Sequence, residues 1–110
     1  MQLSEKIIQN VGVLTVNGQV DASSAPAMEK ALQALIVAQR GKVVVELAQV
    51  DYISSAGLRV LLAGIKQARS LGGDLRVAGL QPQVKEVFDI AGFTPLFKAH
   101  ADATAAVNSF

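Results

Sequence analysis

The run Lys42-Val43-Val44-Val45-Glu46-Leu47 constrains the fold of this chain more than any other segment. It is short, mostly β-branched and apolar nearly throughout, which is the pattern of a strand buried on both faces of a mainly parallel sheet. Such a sheet needs helical cover and long crossovers, and the flanking sequence supplies both. Before the run, Met28, Leu32, Leu35 and Ile36 recur at helical spacing between Pro26, which suits a first helical turn, and Gly41, which stops the pattern. After it, Leu58, Leu61, Leu62, Ile65 and Ala68 share one face of a second helix, with Arg59, Lys66 and Ser70 turned away and Gly72-Gly73 closing it.

The remaining segments alternate in the same way. Lys6-Ile7-Ile8 and Val11 to Val16 read as an opening hairpin, with Asn10 and Gly12 at a tight connection. Asp74 to Leu80 alternates as a strand, and Gln81-Pro82 opens a third helix whose Val84, Val87, Phe88 and Ala91 are expected to face inward. Pro95 to Ala99 is a weak last strand, and Asp102 can cap a small alanine-rich helix carrying Val107 and Phe110. The order is β-β-α-β-α-β-α-β-α. It predicts an α/β domain over residues 1–110, with a mixed, mostly parallel sheet of about five strands, the Lys42 to Leu47 strand central, and about four helices.

Composition limits what such a domain can do. With 110 residues, 51% of them apolar, and a net charge of +1, the chain fits one domain with a real core. Cysteine is absent, which removes thiolate chemistry, disulfides and cysteine zinc sites and is compatible with a reducing compartment. No apolar run approaches the roughly 20 residues of a membrane span, and the start Met1-Gln2-Leu3-Ser4-Glu5-Lys6 lacks a signal-peptide pattern, so a cytoplasmic protein is expected. The 10 basic and 9 acidic residues are scattered singly and Trp is missing, which argues against a nucleic-acid surface. Neither a Gly-x-Gly-x-x-Gly fingerprint nor a Gly-x-x-x-x-Gly-Lys loop occurs, so no cofactor is expected.

Polar chemistry concentrates where the central strand gives way to the second helix. Ser54 and Ser55 are adjacent hydroxyls there, and spacing alone favours a simple N-cap for one of them. The same place suits a phosphate, because the first amides of a helix are unpaired and its dipole favours negative charge. Asp51, at the strand end, reads as a loop carboxylate, since no acidic pair follows the first strand as a receiver-type phospho-acceptor would require. Asp21, Ser23 and Ser24 read as capping residues of the first helix. His100, the one histidine, has no convergent ligands and reads as a surface side chain, so no metal site and no catalytic role are assigned. A serine hydrolase built on Ser55 would need a His and Asp pair placed to activate it, and none is evident.

The element order and the segment Asp51-Tyr52-Ile53-Ser54-Ser55-Ala56-Gly57-Leu58-Arg59-Val60-Leu61-Leu62 resemble the STAS domain family, and within it the bacterial anti-sigma factor antagonists. Gly18-Gln19-Val20-Asp21, Leu71-Gly72-Gly73-Asp74-Leu75 and Val84 to Gly92 extend the resemblance over nearly the whole chain. It implies a partner switch. The unphosphorylated antagonist binds an anti-sigma factor that is also a serine kinase, phosphorylation breaks that complex, and a metal-dependent serine phosphatase restores it. In such relatives the acceptor lies within Asp-Ser-Ser-Gly or Asp-Ser-Ala-Gly. Aligned on Gly57-Leu58, Ser54 replaces the family's aspartate, Ser55 matches the first serine and Ala56 takes the second position. The resemblance thus points to Ser55 as acceptor, with Ser54 second, and to Asp21, Ser23, Ser54, Ser55, Ala56, Gly57 and Arg59 as the partner-facing set. The protein is expected to be no enzyme and a monomer when free. The alternative reading is a STAS module that docks without phosphorylation, as a subunit of a transporter or signalling assembly.

Overall fold

The computed structural model describes residues 1–110, and its sheet grows from a two-residue turn. Strands β1 (Gln2–Ile8) and β2 (Val11–Asn17) pair antiparallel with Ile8 opposite Val11, and Gln9 and Asn10 both take positive φ, 52° and 66°. That is the backbone of a type I′ hairpin, whose twist matches the strands it joins. β1 starts earlier than Lys6-Ile7-Ile8 suggests, because most of its residues are exposed and apolar patterning does not mark them. Gly12 lies inside β2 and not in the turn. It is glycine because Leu35 packs on it: a Cβ there would stand 2.6 Å from Leu35 Cγ.

From β2 the chain runs through α1 (Ala25–Ala38), β3 (Lys42–Gln49), α2 (Ser55–Ser70), β4 (Asp74–Ala78), α3 (Pro82–Ile90), β5 (Ala99–His100) and α4 (Ala103–Asn108). The strands lie in the order β1-β2-β3-β4-β5, all parallel except β1, with β3 in the middle as its composition predicts. Side chains of β3 part to two faces. Val43, Val45 and Leu47 join Leu14, Val16, Leu75 and Val77 against α1, α2 and α3, whereas Val44 joins Val11, Val13 and Ala78 against α4. Burial of a Val, Leu or Ile contributes about 1.5–3 kcal/mol. The larger cluster of 23 buried residues therefore dominates stability over the smaller one of 7.

Several local expectations are corrected by packing. β4 does not alternate: all five residues from Asp74 to Ala78 are buried, because α4 covers the face that would otherwise be wet. The polar members of β4 are satisfied internally. Asp74 accepts from Arg69 Nε at 3.1 Å and from Arg76 Nε at 3.2 Å, while Arg76 Nη1 donates to Ser109 Oγ at 2.6 Å. The Arg76 guanidinium also lies 4.1 Å from the ring centroid of Phe110, which sits beyond the end of α4 and not within it. The strand expected at Pro95 to Ala99 is displaced to Ala99–His100, because Phe97 is drawn into the core beside Phe88 and Phe93, with ring centroids 5.7 Å and 5.8 Å away. Ala91 is exposed at the end of α3, so only Val84 and Phe88 are fully inward there. His100 is no surface histidine: it is half-buried, with Nε2 enclosed and without a hydrogen-bond partner.

Since β2, β3 and β4 run parallel, the loops that leave their C-terminal ends gather at one end of the sheet. Gln81 Nε2 donates to the carbonyl of Ala48 at 2.8 Å and ties the third of these loops to the end of β3. No helix is long and apolar enough to cross a membrane.

Candidate interaction site at the start of α2

Parallel pairing of β2 and β3 continues past the strand ends as a seam between their two loops. Gly18 N–H donates to the Gln49 carbonyl at 3.0 Å, Val20 N–H to that of Tyr52 at 3.0 Å, and Ser54 N–H to that of Val20 at 2.8 Å. Val20 and Ile53 thereby form an isolated parallel bridge. The side chains of both are buried, and Gly57, one turn into α2, closes over them: a Cβ on Gly57 would stand 2.7 Å from both Val20 Cγ1 and Ile53 Cγ1. This places the Asp21 loop beside the entry to α2.

At that entry the two serines have different surroundings. Ser54 is the N-cap, in extended conformation, half-buried, and its Oγ accepts from Gly57 N–H at 3.3 Å. Ser55 is the first helical residue and is exposed, and its hydroxyl hydrogen-bonds to no other side chain. The amides of Ser55 and Ala56 belong to the first turn, whose N–H groups have no intrahelical partner. An exposed hydroxyl beside free amides is an accessible acceptor for an anionic group, whereas the Ser54 hydroxyl already works for the helix.

The Asp21 loop is internally satisfied. Its carboxylate accepts from Ser23 Oγ at 2.7 Å, Ser23 N–H at 3.0 Å and Ser24 N–H at 3.0 Å, and Ser24 Oγ in turn accepts from Asp21 N–H at 2.9 Å. These bonds, the Ser23 hydroxyl first, hold the carboxyl below its ordinary value of 3.8. The capping expected of this segment is present, but Asp21 provides it from three residues before Ser24, the N-cap by position, whose side chain makes no cap bond.

Between α1 and α2 lies an open groove of about 420 Å³, lined by Ala22, Pro26, Glu29, Ala56 and Arg59 among others. The structure thus brings Asp21, Ser23, Ser54, Ser55, Ala56 and Arg59 to one end of the molecule. Gly57 is buried and offers no contact surface of its own; it acts by letting α2 approach the bridge. Sequence reasoning passed over Tyr52, which is 50% exposed on this surface between buried Val50 and Ile53. An aromatic out of phase with two buried aliphatics in a loop was the available signal. Glu29, which lines the groove opposite α2, was also passed over.

Comparison with known proteins identifies the family. A family model described as STAS domain matches residues 2–106. BtrV of Bordetella bronchiseptica, assigned as an anti-sigma factor antagonist, is 37% identical over 110 residues, which is all of this chain and 95% of that one. A Thermotoga maritima structure assigned the same role superposes with a TM-score of 0.90 at 20% identity, covering 97% of this chain and 92% of that one. The Bacillus protein SpoIIAA, solved unphosphorylated and phosphorylated, superposes at TM-scores of 0.82 and 0.74, with 15% and 14% identity. The unphosphorylated form covers 98% of this chain and 95% of its own, the phosphorylated form 98% of each. The chain belongs to the STAS domain family, and relatives within that family are anti-sigma factor antagonists.

Proposed function

We propose that this chain is an anti-sigma factor antagonist that works by partner switching, with Ser55 as the residue that is switched. The observation that carries this reading is the exposed, unengaged hydroxyl of Ser55 at the first position of α2, next to half-exposed Tyr52 and unpaired Arg59. In the unphosphorylated state this end binds a serine-kinase anti-sigma factor, with Tyr52, Ala56 and Arg59 offering apolar and cationic contact. The kinase passes the γ-phosphoryl group of ATP to Ser55 Oγ, which loses its proton, and ADP leaves. A metal-dependent serine phosphatase hydrolyses the ester and restores the binding form. The protein works in the cytoplasm, monomeric when free, and is itself a substrate and not an enzyme.

The physics of release is simple. Phosphorylation adds about −1.5 to −2 charges, and a helix N-terminus tolerates them, so the fold need not break. A partner packed on the same loop meets repulsion and desolvation. If these amount to about 3 kcal/mol, affinity falls roughly a hundredfold. The test is intact mass with site-mapping fragmentation after incubation with ATP and the serine kinase encoded nearest the gene. One phosphate, lost in Ser55→Ala and kept in Ser54→Ala, is the expected result. Loss only in Ser54→Ala moves the acceptor, and no phosphate from an active kinase replaces the switch with the docking module.

A further inference from the structure

Arg59 follows Ser55 by four residues, and such positions on a helix are neighbours, with Cβ atoms about 6 Å apart. Its side chain is exposed and joins no ion pair; the ion pairs of this chain are built on Asp74 and Asp89. Three carboxylates lie in the region, and none holds it. Glu29 lines the same groove without pairing, Asp21 is engaged by Ser23 and Ser24, and Asp51 precedes Tyr52 in the loop without pairing to any cation. A free guanidinium thus stands one turn from the hydroxyl assigned above as acceptor.

On the reading that Ser55 carries the phosphate, we propose that Arg59 captures the phosphoryl group of phosphorylated Ser55 within the same chain. The first-turn amides meet the group along the helix axis, and the planar guanidinium meets it from the side with two parallel donors. Capture does two things at once. It orders the phosphate, and it withdraws Arg59 from the surface, so a partner's carboxylate loses its cation as the negative charge appears. Position 54 is not equivalent. Five residues separate it from Arg59, which sets the two about 140° apart around the helix, and its Oγ faces the amide of Gly57.

The test uses full-length protein with phosphoserine inserted during translation in place of Ser55 or, separately, of Ser54. The second phosphate ionisation is followed by ³¹P nuclear magnetic resonance with native Arg59, with Arg59→Gln and with Arg59→Lys. Pairing lowers that ionisation, and for an exposed pair the expected gap between native Arg59 and Arg59→Gln at position 55 is roughly 0.2 to 0.7 pH units. Arg59→Lys should fall between, since it keeps the charge without the fork. At position 54 the two should coincide. Equal values at position 55 overturn the proposal, and so does an equal gap at position 54, which would indicate only the general field of a nearby cation. Because the phosphate is inserted during synthesis, failure of every kinase to modify Ser55 leaves this readout intact and counts only against the choice of acceptor.

Discussion

Side chains at the α2 entry separate into those that hold the fold and those that are free to act. Ser54 belongs to the first kind, so Ser54→Ala should lower stability by about 1 kcal/mol, read from urea unfolding, at the lower end because its 3.3 Å cap bond is long. Ser55→Ala should change stability by less than about 0.5 kcal/mol while removing phosphorylation altogether. Asp21 also belongs to the first kind. Its carboxyl is held below 3.8 in the folded state, so its contribution is complete above that value and is lost as pH falls through the lower, folded-state value. Asp21→Asn should therefore lower stability in the neutral region and flatten the acid side of a stability–pH profile, and Ser23→Ala should do the same in part. The sequence marked Ser54 and Ser55 as a pair but not which one caps, because that depends on where Gly57 and its amide sit, and Gly57 is placed by Val20 and Ile53 from two different loops.

Whole elements were legible where one face alone decides their pattern. α1 and α2 each bury a stripe against the larger core, and their apolar spacing reveals it. β1, β4 and β5 were less legible for three separate reasons. β1 is held by pairing and not by burial, β4 has both faces covered, and the β5 region yields Phe97 to an aromatic cluster before pairing begins. The covered face of β4 hides Arg76, which joins Asp74 to Ser109 and Phe110 across the C-terminal turn. Arg76→Ala leaves Asp74 with the Arg69 guanidinium and the Leu75 amide and frees the residues after α4. The expected loss is about 2–4 kcal/mol, with amide hydrogen exchange in α4 rising before that in α2. Uniform exchange in both helices would show that α4 is not a separately tethered unit.

At the scale of the molecule, the order of strands follows from short alternating segments, while the functional end depends on contacts between residues far apart in sequence. The outer edge of β1 also matters at this scale, since an open strand invites self-pairing. A two-fold axis through such a pair places residues of equal parity opposite each other. Centring on Glu5 sets two carboxylates face to face, centring on Lys6 sets two ammonium groups face to face, and centring on Ser4 sets Leu3 against Glu5. Like charges directly opposite are destabilising. Sedimentation should therefore give a monomer at tens of micromolar, and Glu5→Gln with Lys6→Gln should increase self-association. A native dimer whose mass is unchanged by that double substitution would rule out the edge as its guard.

The seam from Gly18 to Ser54 has a consequence in time. Two loops tied by backbone hydrogen bonds and a buried bridge present the same relief before and after an encounter, so a partner docks onto a surface already set. Association then waits on no rearrangement of this surface and proceeds at a rate governed by collision and long-range charge. On the proposed switch, a phosphate on Ser55 would act mainly on the lifetime of the complex, where most affinity differences between related complexes lie. A switch of this build would decide how long a partner stays more than how often it arrives.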